Sequence, residues 1–140
     1  MFLDNRNEIL AVHLVKTYCL PAAVYGGEVW SPTSSASKSL SVAWNNAFRR
    51  IFNTCWRESP RSLQFYCDCL PIAYLLDQRR LLFWKKMSIS NNTLLRFLNK
   101  ACQAQLIAIG AKYGIVQPLS SMRSSQIKRH VWYTFTNVIH

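Results

Sequence analysis

Six carboxylates are all that this 140-residue chain can offer to acid–base or metal chemistry: Asp4, Glu8, Glu28, Glu58, Asp68 and Asp77. No two form an Asp-Asp or Asp-x-Asp pair, the spacing that a two-metal polymerase or nuclease centre needs. Cys67-x-Cys69 is the one close thiol pair. Zinc sites usually join such a pair to a second pair or to histidines downstream. Here Cys102 is distant, and no histidine lies between His13 and His130. Those two stand on helical stretches without a nearby Cys or acid, as core or surface histidines do. There is no phosphate-cradling glycine loop, no His-Glu-x-x-His and no Gly-x-Ser-x-Gly. The expectation is no metal, no cofactor and no enzyme activity by the chain alone.

The cations tell a different story. After Asp77 the chain has no acid, yet it carries Arg79, Arg80, Lys85, Lys86, Arg96, Lys100, Lys112, Arg123, Lys128 and Arg129. The whole chain is +11. Self-repulsion of this kind is relieved by a polyanion, and nucleic acid is the commonest one. A second group is better spaced. Asn46, Arg50, Asn53 and Arg57, with Arg49 beside them, line the back of an apolar stripe made by Trp44, Ala47, Phe48, Ile51, Phe52 and Cys55. That stripe has the helical period. Guanidinium forks interleaved with amides suit phosphate oxygens. The same row also serves as an ordinary solvated face, and both readings stay open.

These side chains must be held by a folded domain. Half the residues are hydrophobic, only 16% are charged, and five are Trp, which is too apolar for a disordered basic tail. Asn5-x-x-Glu8 reads as a capping box opening an apolar run from Ile9 to Tyr25. Pro21 interrupts that run and predicts a kink or break near Tyr18–Leu20. Gly26-Gly27, Trp30-Ser31-Pro32 and the serines after them read as a loop. Leu63 to Cys69 is a short helix or turn, and Pro71 opens a helix to about Met87. Its apolar arc is Ile72, Leu75, Leu76, Leu82, Phe83 and Met87, and Leu81 with Trp84 carries apolar character to the back. Arg79 projects from that arc. A guanidinium buried there needs a carboxylate, and Glu58 is favoured over Asp68 and Glu28. The alternative is that Arg79 faces a nucleic-acid groove.

Asn92 caps a helix from Thr93 to about Gln105, and Gly110 and Gly114 break the segment beyond it. Ser121 or Ser124 starts a last helix with Ile127, Val131, Phe135 and Val138 on its apolar side. The fold class is all-α: one irregular helical domain of five or six helices, with segments 1–30, 31–100 and 101–140. Charges within Met1–Glu8 argue against a signal peptide. No apolar stretch reaches the roughly 18 residues of a membrane span. An odd set of five cysteines suits a reducing compartment, so an intracellular protein, nuclear or cytoplasmic, with no membrane partner, is expected.

Four segments together resemble a known family. They are Lys16-Thr-Tyr-Cys-Leu-Pro21, Tyr25-Gly-Gly-Glu-Val-Trp30, Ala43-Trp-Asn-Asn-Ala-Phe-Arg-Arg-Ile-Phe52 and Asp77-Gln-Arg-Arg-Leu-Leu-Phe83. In order and spacing they look like the region after the palm in reverse transcriptases of non-LTR (LINE-type, jockey- and CR1-like) retrotransposons. The resemblance covers roughly residues 9–100. It implies a helical thumb-like bundle that grips the backbone of an RNA–DNA or DNA duplex without reading sequence, and a palm domain as partner. The family's Tyr/Phe-Ala-Asp-Asp motif has no counterpart in this chain. Two other expectations stand beside this one: a host-retained helical protein-interaction module, and a relic with no selected function.

Overall fold

A proline inside an apolar helix removes one N–H and presses on the preceding turn. Around Pro21 the backbone answers by widening. The computed structural model describes residues 5–27 and 35–139. In it α1 (Asn5–Leu14) runs into a π-helical turn at Val15–Cys19 and then into α2 (Leu20–Ala23). The Leu20 N–H donates to the Val15 carbonyl, five residues back, so the turn just before Pro21 carries one extra residue. The expected break is therefore a π-bulge within a continuing helix. The loop expected at Trp30-Ser31-Pro32, and Glu28, lie outside the described residues.

All regular structure among the described residues is helical: after α2 come α3 (Ser35–Ile51), α4 (Arg61–Tyr66), α5 (Ile72–Ile89), α6 (Thr93–Ala101), α7 (Gln103–Lys112), a short 3-10 turn at Leu119–Ser121, and α8 (Ser124–Ile139). The chain divides into two compact units, one up to Ala73 and one from Tyr74 to Val138. The division falls just inside α5, within the stretch 31–100 expected from the sequence to be one core.

In the first unit α3 packs against α1. It begins earlier than expected, because the serines from Ser35 onward are helical rather than loop. Ser37, Trp44 and Phe48 are buried along this helix, with Ser37 two turns before Trp44. Trp44 stacks edge-on to Phe48 at 5.0 Å and its indole N–H donates to the Leu70 carbonyl at 3.1 Å. Gln64 is wholly buried; its amide donates to Asn45 Oδ1 at 2.9 Å.

Three helices end in the same way. Asn53, Asp68 and Gly114 have φ of 51°, 58° and 67°, the left-handed region. In each case the N–H of the next residue bonds a carbonyl five back: Thr54 to Arg49 at 2.9 Å, Cys69 to Gln64 at 2.8 Å, Ile115 to Gly110 at 2.9 Å. The left-handed residue's own N–H bonds the carbonyl three back. These are Schellman ends for α3, α4 and α7, and Asn, Asp and Gly are the residues that tolerate the position. At the other end of a helix, Asn92 Oδ1 accepts from the Leu94 N–H at 2.9 Å and caps α6, as expected. That helix stops at Ala101 rather than near Gln105, and a new one starts at Gln103.

The second unit is built on α5, α7 and α8. Leu76, Leu81, Trp84, Met87, Ile127, Val131 and Phe135 are buried. On α5 the expected arc is buried at Ile72, Leu76 and Met87, and Leu81 and Trp84 on its back are buried too, so the helix is covered on both sides; Phe83 is 37% exposed. Asp77 and Arg80 sit on this helix at i and i+3, both buried, and the apolar residues beside them close over the pair. On α8 the expected stripe holds at Ile127, Val131 and Phe135, but Val138 is exposed.

Candidate nucleic-acid interface

The row expected on α3 is only partly a helical face. Asn46, Arg49 and Arg50 lie on the helix. Asn53 and Arg57 lie beyond its end at Ile51, because Asn53 adopts the left-handed turn that stops it. Arg49 is already engaged. Its Nη1 donates to Asn46 Oδ1 at 3.0 Å and its Nε to the Glu58 carbonyl at 3.2 Å. Arg57 lies over the Trp56 ring, 5.0 Å from the centroid. Asn46, Arg50, Asn53 and Arg57 are exposed. The structure thus brings Asn46 and Arg49 together, and puts Arg49 on the backbone of the turn that carries Glu58.

Arg79, matched with Glu58 on sequence grounds, is half-buried on α5, and Glu58 is exposed in the first unit. The guanidinium sunk in the core of α5 is that of Arg80. Its Nη1 donates to Asp77 Oδ1 at 3.2 Å. Asp77 Oδ2 accepts from Lys112 Nζ at 3.0 Å and from the Tyr113 hydroxyl at 2.6 Å. Lys112 Nζ also lies 5.3 Å from the ring centroids of Tyr74 and Tyr113. Burial, then the hydrogen bond to Asp77, pushes the Tyr113 phenol well above its ordinary range. The one acidic side chain from Tyr74 onward is therefore inside the unit and already shared by two cations and a phenol.

The surface cations of this unit are left without it. Lys86, Arg96, Lys100, Arg123, Lys128 and Arg129 are exposed. Four bases gather where α5 ends and α8 begins. Lys85 Nζ donates to Ser124 Oγ at 3.4 Å, which ties the two helix ends together. Lys86 comes directly after Lys85, Arg123 precedes Ser124, and Lys128 stands one turn along α8 from Ser124. The N-terminus of α8 adds its own partial positive charge to this end. Such a group attracts phosphate oxygens rather than neutral ligands. Its residues were visible in the sequence as an acid-free run, but no periodicity connected residue 86 to residue 123; the α5–α8 packing does.

All five cysteines are free, and no group of three or more His, Cys, Asp or Glu comes together among the described residues. Burial, opposed by Lys16, pushes the Cys69 thiol up from 9.0 to about 11; burial followed by the Glu8 charge raises that of Cys67. Both are poor metal ligands or nucleophiles at neutral pH. No helix among the described residues is long and apolar enough to cross a membrane. No protein-family model matches the chain, and neither a curated protein nor a solved structure is detectably similar to it.

Proposed function

We propose that this chain is a non-catalytic, all-helical piece of a non-LTR retrotransposon RNA-directed DNA polymerase, whose role is to hold nucleic-acid backbone without reading sequence. One observation carries the binding half of this reading. From Tyr74 on there are ten bases and one acid, and that acid is buried and paired, so it does not offset the exposed cations of this unit. The family half rests on the resemblance of the four segments between Lys16 and Phe83.

The test is a salt titration of binding to mixed-sequence DNA and RNA–DNA duplexes, read by fluorescence anisotropy. Each phosphate contact contributes a slope of about −0.9 in log affinity against log salt. Changing Lys86, Arg123 and Lys128 together to Gln is expected to flatten the slope by about two to three units, equally on both duplexes and on all sequences. Changing Arg49, Arg50 and Arg57 to Gln is expected to do less, because Arg49 and Arg57 already have local partners. Equal losses from both triples would reduce the binding to bulk charge and remove the site. The family half has its own test: an Ala-Asp-Asp palm, in frame or frame-shifted, in the genomic DNA immediately upstream.

A second reading has a specific observation behind it. Ile9, Leu10 and Leu14 on α1, Tyr18 in the π-helical turn and Tyr25 just past α2 are exposed. Exposed apolar side chains grouped on one segment mark a surface for a protein partner. The palm of a polymerase fills that place under the first reading, and a host protein fills it if the module now works alone.

A further inference from the structure

Beyond backbone contact, we infer that the cleft along α8 seats one unstacked base of a single-stranded nucleic acid. This rests on the nucleic-acid reading above. The cleft has a volume of about 530 Å³ and opens to solvent between α8 and the turn after α7. Gln126, Arg129, His130 and Tyr133 line it from one face of the helix, and Met122 and Val116 line it as well. That face is opposite Ile127, Val131 and Phe135, which are fully buried, so the core fixes the direction in which the lining points.

Three features choose the ligand. First, Tyr133 is 66% exposed, and no hydrogen bond or ring contact engages it among the described residues. A large ring left bare beside cations is a stacking platform. Second, the polar lining is biased toward donors. Gln126 Oε1 already accepts from the Arg123 N–H at 2.8 Å, which leaves its amide hydrogens for the cleft. Arg129 adds a guanidinium, and no carboxylate lines the space. Third, Arg129 stands one turn before Tyr133 on the same face of the cleft, so a strand held by a phosphate at Arg129 passes the ring. A duplex keeps its bases stacked inside; only an unpaired strand can turn one onto Tyr133.

The experiment compares a fluorescent oligothymidine with an abasic strand of equal length and charge, and with a duplex. Oligothymidine is expected to bind more tightly than the abasic strand. Tyr133→Ala should weaken oligothymidine binding about tenfold. It should leave the salt slope, the abasic strand and the duplex unchanged, and Tyr133→Phe should retain affinity. Arg129→Gln should instead flatten the slope by about 0.7 on both single strands. Thermal melts establish that each variant is folded. Equal affinity for the two strands, or equal loss on both from Tyr133→Ala, overturns the inference while the backbone reading survives. If no oligonucleotide binds, the underlying reading falls too. If an acidic Tyr-containing peptide binds with the same sensitivity to Tyr133→Ala and oligothymidine does not, the cleft is a peptide seat and the inference is wrong.

Discussion

Up to Ala73 the chain carries seven bases and five acids; from Tyr74 on it carries ten bases and one acid. The two units handle cations differently. In the first, Lys16 Nζ donates to the Asp68 carbonyl at 3.2 Å and Arg49 to the Glu58 carbonyl at 3.2 Å. Long cationic side chains there complete the hydrogen bonding of turns, and the charges themselves stay in solvent. In the second, one carboxylate is buried to hold Arg80, Lys112 and Tyr113, and six further cations are exposed on the surface. A surplus like this costs stability through self-repulsion. A unit that uses its one acidic side chain for architecture leaves its surface suited to meet an anion.

The sharpest way to break this contrast is Asp77→Asn. It removes the charge that a buried guanidinium and an ammonium share, and losing one member of a buried pair costs roughly 3–5 kcal/mol. The matching change in the first unit, Glu58→Gln, removes an exposed carboxylate and should stay within about 0.5 kcal/mol in urea unfolding. Similar losses from both would mean that Asp77 does not organise the second unit.

The helix ends supply a smaller comparison. Gly114→Ala places a Cβ in the left-handed region and should cost about 1–2 kcal/mol. Nothing lies within 4 Å of that Cβ, so the cost is backbone strain and not a clash. Asn53→Gly, at the equivalent position in the first unit, should be stabilising by a few tenths of a kcal/mol. A neutral Gly114→Ala would remove the Schellman account of α7.

Alkaline pH separates the units more gently. The folded state holds the Cys69 proton to about pH 11, whereas an unfolded thiol releases it near 9.0. Tyr113 is likewise held protonated above its ordinary range. Both pKa values are raised, so their stabilisation is complete below the unfolded values and is lost as pH rises through the folded ones. Melting temperature should therefore fall from about pH 9 upward. Removing both raised thiols, Cys67→Ala with Cys69→Ala, should move the onset higher, leaving the fall that begins with tyrosine near pH 10. An onset unmoved by the double change would show that these two thiols do not set the alkaline sensitivity of the first unit.

Much of the architecture comes from local rules. Period alone placed the apolar face of α3 at Trp44 and Phe48 and that of α8 at Ile127, Val131 and Phe135, because a helix repeats its faces whatever surrounds it. Side-chain chemistry placed the Asn92 cap, and the missing N–H and ring of Pro21 located the distortion before it. The acid-free run after Asp77 marked the charged half of the chain. Local rules failed where the outcome depends on partners distant in sequence. The row Asn46, Arg50, Asn53, Arg57 assumes a helix that continues, but Asn53 turns left-handed and closes α3. A buried arginine needs a carboxylate, and for Arg80, in the core, that acid is Asp77 one turn earlier. The other two partners of Asp77, Lys112 and Tyr113, arrive some 35 residues on, where no local rule could place them. The meeting of Lys85 with Ser124, and the cleft beside Tyr133, were likewise decided by the packing of α8. Spacing along the chain dictates what shares a helix face; only packing dictates which faces meet, because contact energy depends on distance in space and not in sequence.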